Sequence, residues 1–166
     1  MRQERLSRRE LFVGRPAKTK VFIRPPGVSA EALEACTGCG ACVARCPTKI
    51  IHLVEGLPSI DFAAGECTFC GECRVACPEP VFAEEDARSF PHVAVITDGC
   101  LARHDVACQS CGESCPEQAI RFRPRIGGPF LPELNEEMCS GCGACLKVCP
   151  VGAITLRVRE MGGADV

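Results

Sequence analysis

The sequence predicts an α+β fold: two tandem modules, each of small hairpins and short helices. Three observations predict it. All 16 cysteines of the 166-residue chain fall into four runs, with none left over. Between the runs lie short apolar segments that alternate as strands do, divided by Gly and Pro. And bulky side chains are scarce: 5% of residues are aromatic, with no Trp and no Tyr, against 16 Gly and 13 Pro. A chain with so little core volume needs staples of another kind.

The last run is the clearest. Cys139, Cys142, Cys145 and Cys149 are followed by Pro150. This is Cys-x2-Cys-x2-Cys-x3-Cys-Pro, the bacterial ferredoxin run for a 4Fe-4S cluster. Three thiolates on a tight loop can wrap one face of a cubane. Gly141 and Gly143 let the backbone come close. The fourth thiolate sits in a short helical turn and points elsewhere. Pro150 then stops the helix. Cys36, Cys39, Cys42 and Cys46 with Pro47 repeat the run, as do Cys67, Cys70, Cys73 and Cys77 with Pro78. The third copy is irregular: Cys100, then Cys108, Cys111 and Cys115 with Pro116.

The runs pair. Cys46 precedes Cys67 by 21 residues, and Cys115 precedes Cys139 by 24. That is the pattern of a two-cluster bacterial ferredoxin, in which the fourth cysteine of each run ligates the other cluster. The expected ligand sets are therefore Cys36, Cys39, Cys42 and Cys77 for the first cluster, and Cys67, Cys70, Cys73 and Cys46 for the second. The third would use Cys100, Cys108, Cys111 and Cys149, and the fourth Cys139, Cys142, Cys145 and Cys115. The third set has two candidates for one position. Asp105 stands where regular spacing puts the first cysteine, and Cys100 lies five residues earlier. A soft thiolate suits iron-sulfur chemistry better than a carboxylate, which favours Cys100 with residues 101–107 looped out. Closing that longer loop costs entropy, so this corner should be the most labile.

Rival readings of the cysteines are weaker. A disulfide scaffold belongs to secreted chains. Zinc sites show separated Cys-x2-Cys pairs or histidines at ligand spacing, and His52, His92 and His104 are not at such spacing. Each histidine reads as an ordinary surface or hairpin residue.

Residues 1–29 read as a basic N-terminal arm. Residues 1–26 hold eight Lys or Arg and two Glu, a charge of +6, which leaves −8 for 27–166 out of a total of −2. A short helix is expected over residues 4–13, and Arg24-Pro25-Pro26-Gly27 reads as a rigid linker. Ser7-Arg8-Arg9 resembles an export motif, but a basic, broken segment follows it rather than an apolar one. An arm that packs on the acidic body, or docks a partner, is preferred, and the protein is expected in the cytoplasm. No apolar run reaches 18 residues, so no membrane insertion is expected. Four clusters would bring the net charge to about −10, which argues against nucleic-acid binding.

The first module is expected over 30–88. Ser29 caps a short helical entry. Ile50 to Val54 and Leu57 to Phe62 form strands around a Glu55-Gly56 turn. The second is expected over 89–160, with strands at Val93–Ile96, Ala119–Arg123, Phe130–Leu134 and Ala153–Val158. Residues 161–166 form a flexible tail. No phosphate loop, nucleophile constellation or substrate site is evident, so the chain is not read as an enzyme. Ser110 and Ser114 are loop hydrogen-bonders.

Taken with Ser7-Arg8-Arg9, Arg24-Pro25-Pro26, Cys100-Leu-Ala and Ile120-Arg-Phe-Arg-Pro124, the chain resembles, end to end, the NapF family of ferredoxin-type proteins from periplasmic nitrate reductase systems. The resemblance implies a cytoplasmic iron-sulfur accessory protein. It would bind the precursor of the nitrate reductase catalytic subunit and assist its maturation before export, by cluster or electron delivery. The alternative is an electron-transfer polyferredoxin, or an electron-wire subunit of a larger oxidoreductase.

Overall fold

The computed structural model describes residues 22–83 and 87–159. The arm residues before Phe22, with their expected helix and paired arginines, lie outside the described residues, as does the tail from 160. Short elements dominate. Helix α1 (Ala41–Arg45) and strands β1 (Ile51–Val54) and β2 (Leu57–Ile60) are followed by α2 (Glu72–Val75). Then come β3 (His92–Ile96), α3 (Ser110–Glu113), β4 (Ile120–Arg125), β5 (Gly128–Leu134), α4 (Ala144–Val148) and β6 (Ile154–Val158).

Local chemistry accounts for the helices. α1, α2 and α4 each open on a left-handed glycine: Gly40 at φ 77°, Gly71 at 74° and Gly143 at 85°. A side chain there would cost about 1–3 kcal/mol. The prolines that close the runs keep the helices to four or five residues. α3 opens instead on Gln109, at φ −132°. The irregular run thus lacks the left-handed start of the others. Ser29 Oγ accepts from the Ala32 amide at 3.2 Å, two residues ahead of Glu31, which is the N-cap of a 3-10 turn over Ala32–Ala35.

Among the described residues, three antiparallel pairs form. β1 pairs with β2, Ile51 opposite Ile60, around Glu55 and Gly56. Both turn residues have positive φ, 54° and 80°, the signature of a type I′ turn whose twist suits a hairpin. β4 pairs with β5, Ile120 opposite Leu134, with a register shift between Arg123 and Arg125. β3 pairs with β6, Ile96 opposite Ile154, across about sixty residues of chain. The comparable contact in the first half is smaller: a bridge between Val28 and Phe82, beside the Ala83 amide donating to Gly27 at 2.8 Å.

That bridge bears on Phe22–Val28, which sequence analysis places in an arm packing on the body and a rigid linker. The structure packs these residues on the first hairpin, so the linker stretch is part of the folded body. The Ile60 amide donates to Ile23 at 2.8 Å, Arg24 donates to the Pro58 carbonyl at 2.8 Å, and Pro25 is fully buried. Proline fixes its own backbone and has no amide to satisfy, so it can be buried here at little cost.

Two small cores result. One holds Ile50, Ile51, Ile60, Phe62 and Phe90. The other holds Ala94, Cys111, Ile120, Cys145 and Ile154. Leu146 packs against both. His92 joins the contact between the halves. It is buried, stacks on Phe90 with centroids 4.8 Å apart, and its Nε2–H donates to the Gly141 carbonyl at 2.9 Å. The surface role expected for it is corrected: a ring between two phenylalanines with one polar partner is more stable inside. Burial holds its pKa below the ordinary histidine range. His52 is exposed, and exposed His104 donates to the Asp98 carbonyl at 2.9 Å.

Candidate metal centres

The cysteines gather into sets that cross the runs. Cys36, Cys39 and Cys42 line one cavity together with Cys77 from the second run, closed by Leu53, Pro58 and Val81. Cys67, Cys70 and Cys73 line another with Cys46 from the first run, against Ile50, Ile60 and Phe69. Cys139, Cys142 and Cys145 line a third with Cys115, against Ala94, Ile120 and Leu156. The same grouping appears in the electrostatics. Burial raises Cys42, and Cys77 and Cys36 add repulsion. Burial pushes Cys67 and Cys73 up to about 11, each with repulsion from Cys46. Cys145 is pushed up to about 12 by burial and then by Cys142, Cys139, Cys111 and Cys115.

The helices explain why. α1 packs on α2, and the cysteines that follow them, Cys46 and Cys77, each line the other run's cavity. α3 packs on α4, and Cys115 after α3 lines the cavity of the last run. Cys46 differs from the rest. Burial pushes it up, but the Thr48 hydroxyl and the amides of Ile50, Thr48 and Ile51 outweigh burial and leave it below the ordinary thiol range.

At the irregular run, Cys111 is pushed up to about 11 by burial and by the Cys100 and Cys108 thiolates. Cys149 caps α4 and packs against the same apolar cluster as Cys111. Asp105 is engaged elsewhere. It ends a 3-10 turn over Leu101–His104 at φ 62°, and its carboxylate accepts from Arg125. The segment expected to loop out is therefore ordered, with Ala102 wholly buried.

An iron-sulfur cluster fits these donors. All 16 thiols are free. Among the described residues no three Cys, His, Asp or Glu side chains close around a single ion; three of the four thiol sets line cavities. Ser140 lines the cavity of Cys139, Cys142 and Cys145, and its buried hydroxyl partly offsets the rise that burial imposes on Cys142; a thiolate or sulfide there would accept from it. Thiols that burial pushes up, such as Cys67, Cys73, Cys111 and Cys145, do not ionise readily unaided. Iron supplies the compensating charge, so loading releases protons and contributes to folding. Once bound, such a cluster supplies one-electron redox chemistry.

Sequence reasoning missed how the halves meet. The Cys67 amide donates to the Cys142 carbonyl at 2.8 Å, and the Phe90 amide to Ser140 at 2.9 Å. The cavity of Cys46, Cys67, Cys70 and Cys73 thus abuts that of Cys115, Cys139, Cys142 and Cys145. Gly141 and Gly143 serve this contact. A Cβ on Gly141 would stand 2.6 Å from the His92 carbonyl, and one on Gly143 2.1 Å from the Phe62 ring. No pattern in the runs marks this, because the regular runs share the second glycine. None of the described helices is long and apolar enough to cross a membrane.

The family described as 4Fe-4S dicluster domain matches residues 35–81 and again 106–153. The ferredoxin-type protein NapF of Escherichia coli K12 is 43% identical over 152 residues, covering 90% of this chain and 93% of its own. The NapF of Haemophilus influenzae is 44% identical, covering 82% and 79%. The methylamine utilization ferredoxin-type protein MauM of Methylorubrum extorquens is 32% identical, covering 84% and 74%. With the dicluster domain matched twice and likeness to NapF along nine-tenths of its length, this chain belongs to the NapF family of 4Fe-4S ferredoxin-type proteins.

Proposed function

We propose that this protein is a cytoplasmic accessory protein that binds the precursor of the periplasmic nitrate reductase catalytic subunit. It assists maturation of that subunit, by delivering a cluster or electrons, before export. The observation that carries this reading is the likeness to NapF across 90% of the chain, rather than the cysteine runs, which MauM-type proteins also resemble. The chain is read as two tandem two-cluster modules, 30–88 and 89–160, with four 4Fe-4S clusters. The ligands are the sets of the sequence analysis, with Cys100 rather than Asp105 completing the third.

This chain's residues have three tasks in that role. The thiolates of each set hold iron. The apolar walls, such as Ile50, Ile60, Leu134 and Leu156, shield the inner donors, such as Cys67, Cys73, Cys142 and Cys145. The basic residues of the arm meet an acidic client surface, an attraction that salt weakens. No step is assigned to a nucleophile or general base.

The test is anaerobic co-purification from cell extract with the bound partner identified by mass. Recovery of the reductase precursor, weakened by salt, is the expected result. Recovery of a membrane or soluble oxidoreductase complex instead would favour the second reading, an electron wire. That reading has its own support in the Cys67–Cys142 hydrogen bond, which sets two cavities side by side across the halves.

A further inference from the structure

The third set is held differently from the others, and a residue far from the cysteine runs holds it. Cys100 leads into the 3-10 turn Leu101–His104, and the chain reverses at left-handed Asp105 before reaching Cys108. Two groups fasten this excursion. Asp98 takes one side: its carboxylate accepts from Arg103 at 2.7 Å and its carbonyl from His104 at 2.9 Å. Arg125, at the end of β4, takes the other. Its guanidinium donates to the Asp105 carboxylate and to the Ala102 carbonyl at 3.4 Å, while Nε donates to the Pro129 carbonyl at 3.0 Å. The planar fork of an arginine can serve these directions at once, as a lysine cannot.

The hairpin is shaped for this. A Cβ on Gly128 would stand 2.5 Å from the Arg125 guanidinium. The turn is therefore open at the position over which the side chain folds back. Asp105, at the ligand position of a regular run, is thereby committed to Arg125.

We propose that Arg125 is the positioning residue of the third metal site: by clamping Ala102 and Asp105, it keeps the Cys100 thiolate beside Cys108 and Cys111. The inference rests on the reading that Cys100 completes a third cluster. It replaces the expectation of a loose loop with that of an ordered one whose order depends on one side chain.

The experiment uses full-length protein purified anaerobically, with iron analysis and electron paramagnetic resonance during mild oxidation. Wild type should hold about 16 irons, four per cluster. Arg125→Ala should release the third-site iron about five-fold faster, seen as earlier growth of a 3Fe signal, with the other sites unchanged. Gly128→Ala keeps the charge but displaces the guanidinium, and should give the same signal. In a Cys100→Ala background, adding Arg125→Ala should cause no further acceleration, since the arginine acts through that thiolate. Equal rates in Arg125→Ala and wild type, or loss spread over all sites, would overturn the proposal while leaving a third cluster in place. About 12 irons in wild type, unaffected by Cys100→Ala, would sink both the third cluster and its clamp.

Discussion

Gly143 and Gly40 occupy equivalent places in their runs and do different work. Both have positive φ, 85° and 77°. Around Gly40 a Cβ would meet nothing within 4 Å, whereas at Gly143 it would enter the Phe62 ring. Phe62 cannot swing aside, because it is buried against Phe90, with ring centroids 5.8 Å apart, and against His92. Gly40→Ala should therefore cost only the strain of a left-handed alanine, about 1–3 kcal/mol. Gly143→Ala should cost about 1–3 kcal/mol more through overpacking. Denaturant titration of the anaerobic holo protein, followed by cluster absorbance, measures the difference. Equal midpoints for the two variants would mean that the contact between the halves gives way freely.

Among the elements, Phe22–Val28 shows most clearly what strand-level reading overlooks. Its proline and glycine content suggested a linker, yet it bonds to β2 and bridges Phe82. Deleting residues 1–21 should leave iron content intact and weaken client binding at low salt. Deleting residues 1–28 removes Ile23, Pro25 and the bridge as well, and should loosen the site of Cys36, Cys39, Cys42 and Cys77, whose cavity is walled by Pro58 and Phe82. Iron analysis of the two truncations, beside capture of the client, separates the arm from the packed segment. If the shorter deletion loses iron, the arm is a structural strap. If the longer one loses none, the packing is dispensable.

For the molecule as a whole, the cavities that Cys46, Cys77 and Cys115 line belong to runs other than their own, and the proposed ligand sets would make paired sites interdependent. Cys77 lies in the second run but faces the cavity of the first. Cys77→Ser should alter the cluster held by Cys36, Cys39 and Cys42, and leave the one held by Cys67, Cys70 and Cys73 spectroscopically native. The opposite result would return each cluster to a single run. The sites also fall in a spatial order that differs from the chain order. The Cys67–Cys142 contact puts the second and fourth sets side by side.

The sequence by itself determined the cysteine runs, the hairpins and the family. Cysteine spacing is a local code, set by turns of two and three residues, and the Glu55-Gly56 turn and the Ser29–Ala32 hydrogen bond are local in the same way. Tertiary structure decided what depends on partners far along the chain. His92 looked like a surface residue until Phe90 and Gly141 closed around it. Asp105, an alternative to Cys100 in the sequence, pairs in the structure with Arg125, twenty residues on. Phe22–Val28 read as linker because its partners are Pro58, Ile60 and Phe82. In each case the deciding contact is made between segments whose nearness no spacing rule encodes, because packing rather than local geometry brings them together.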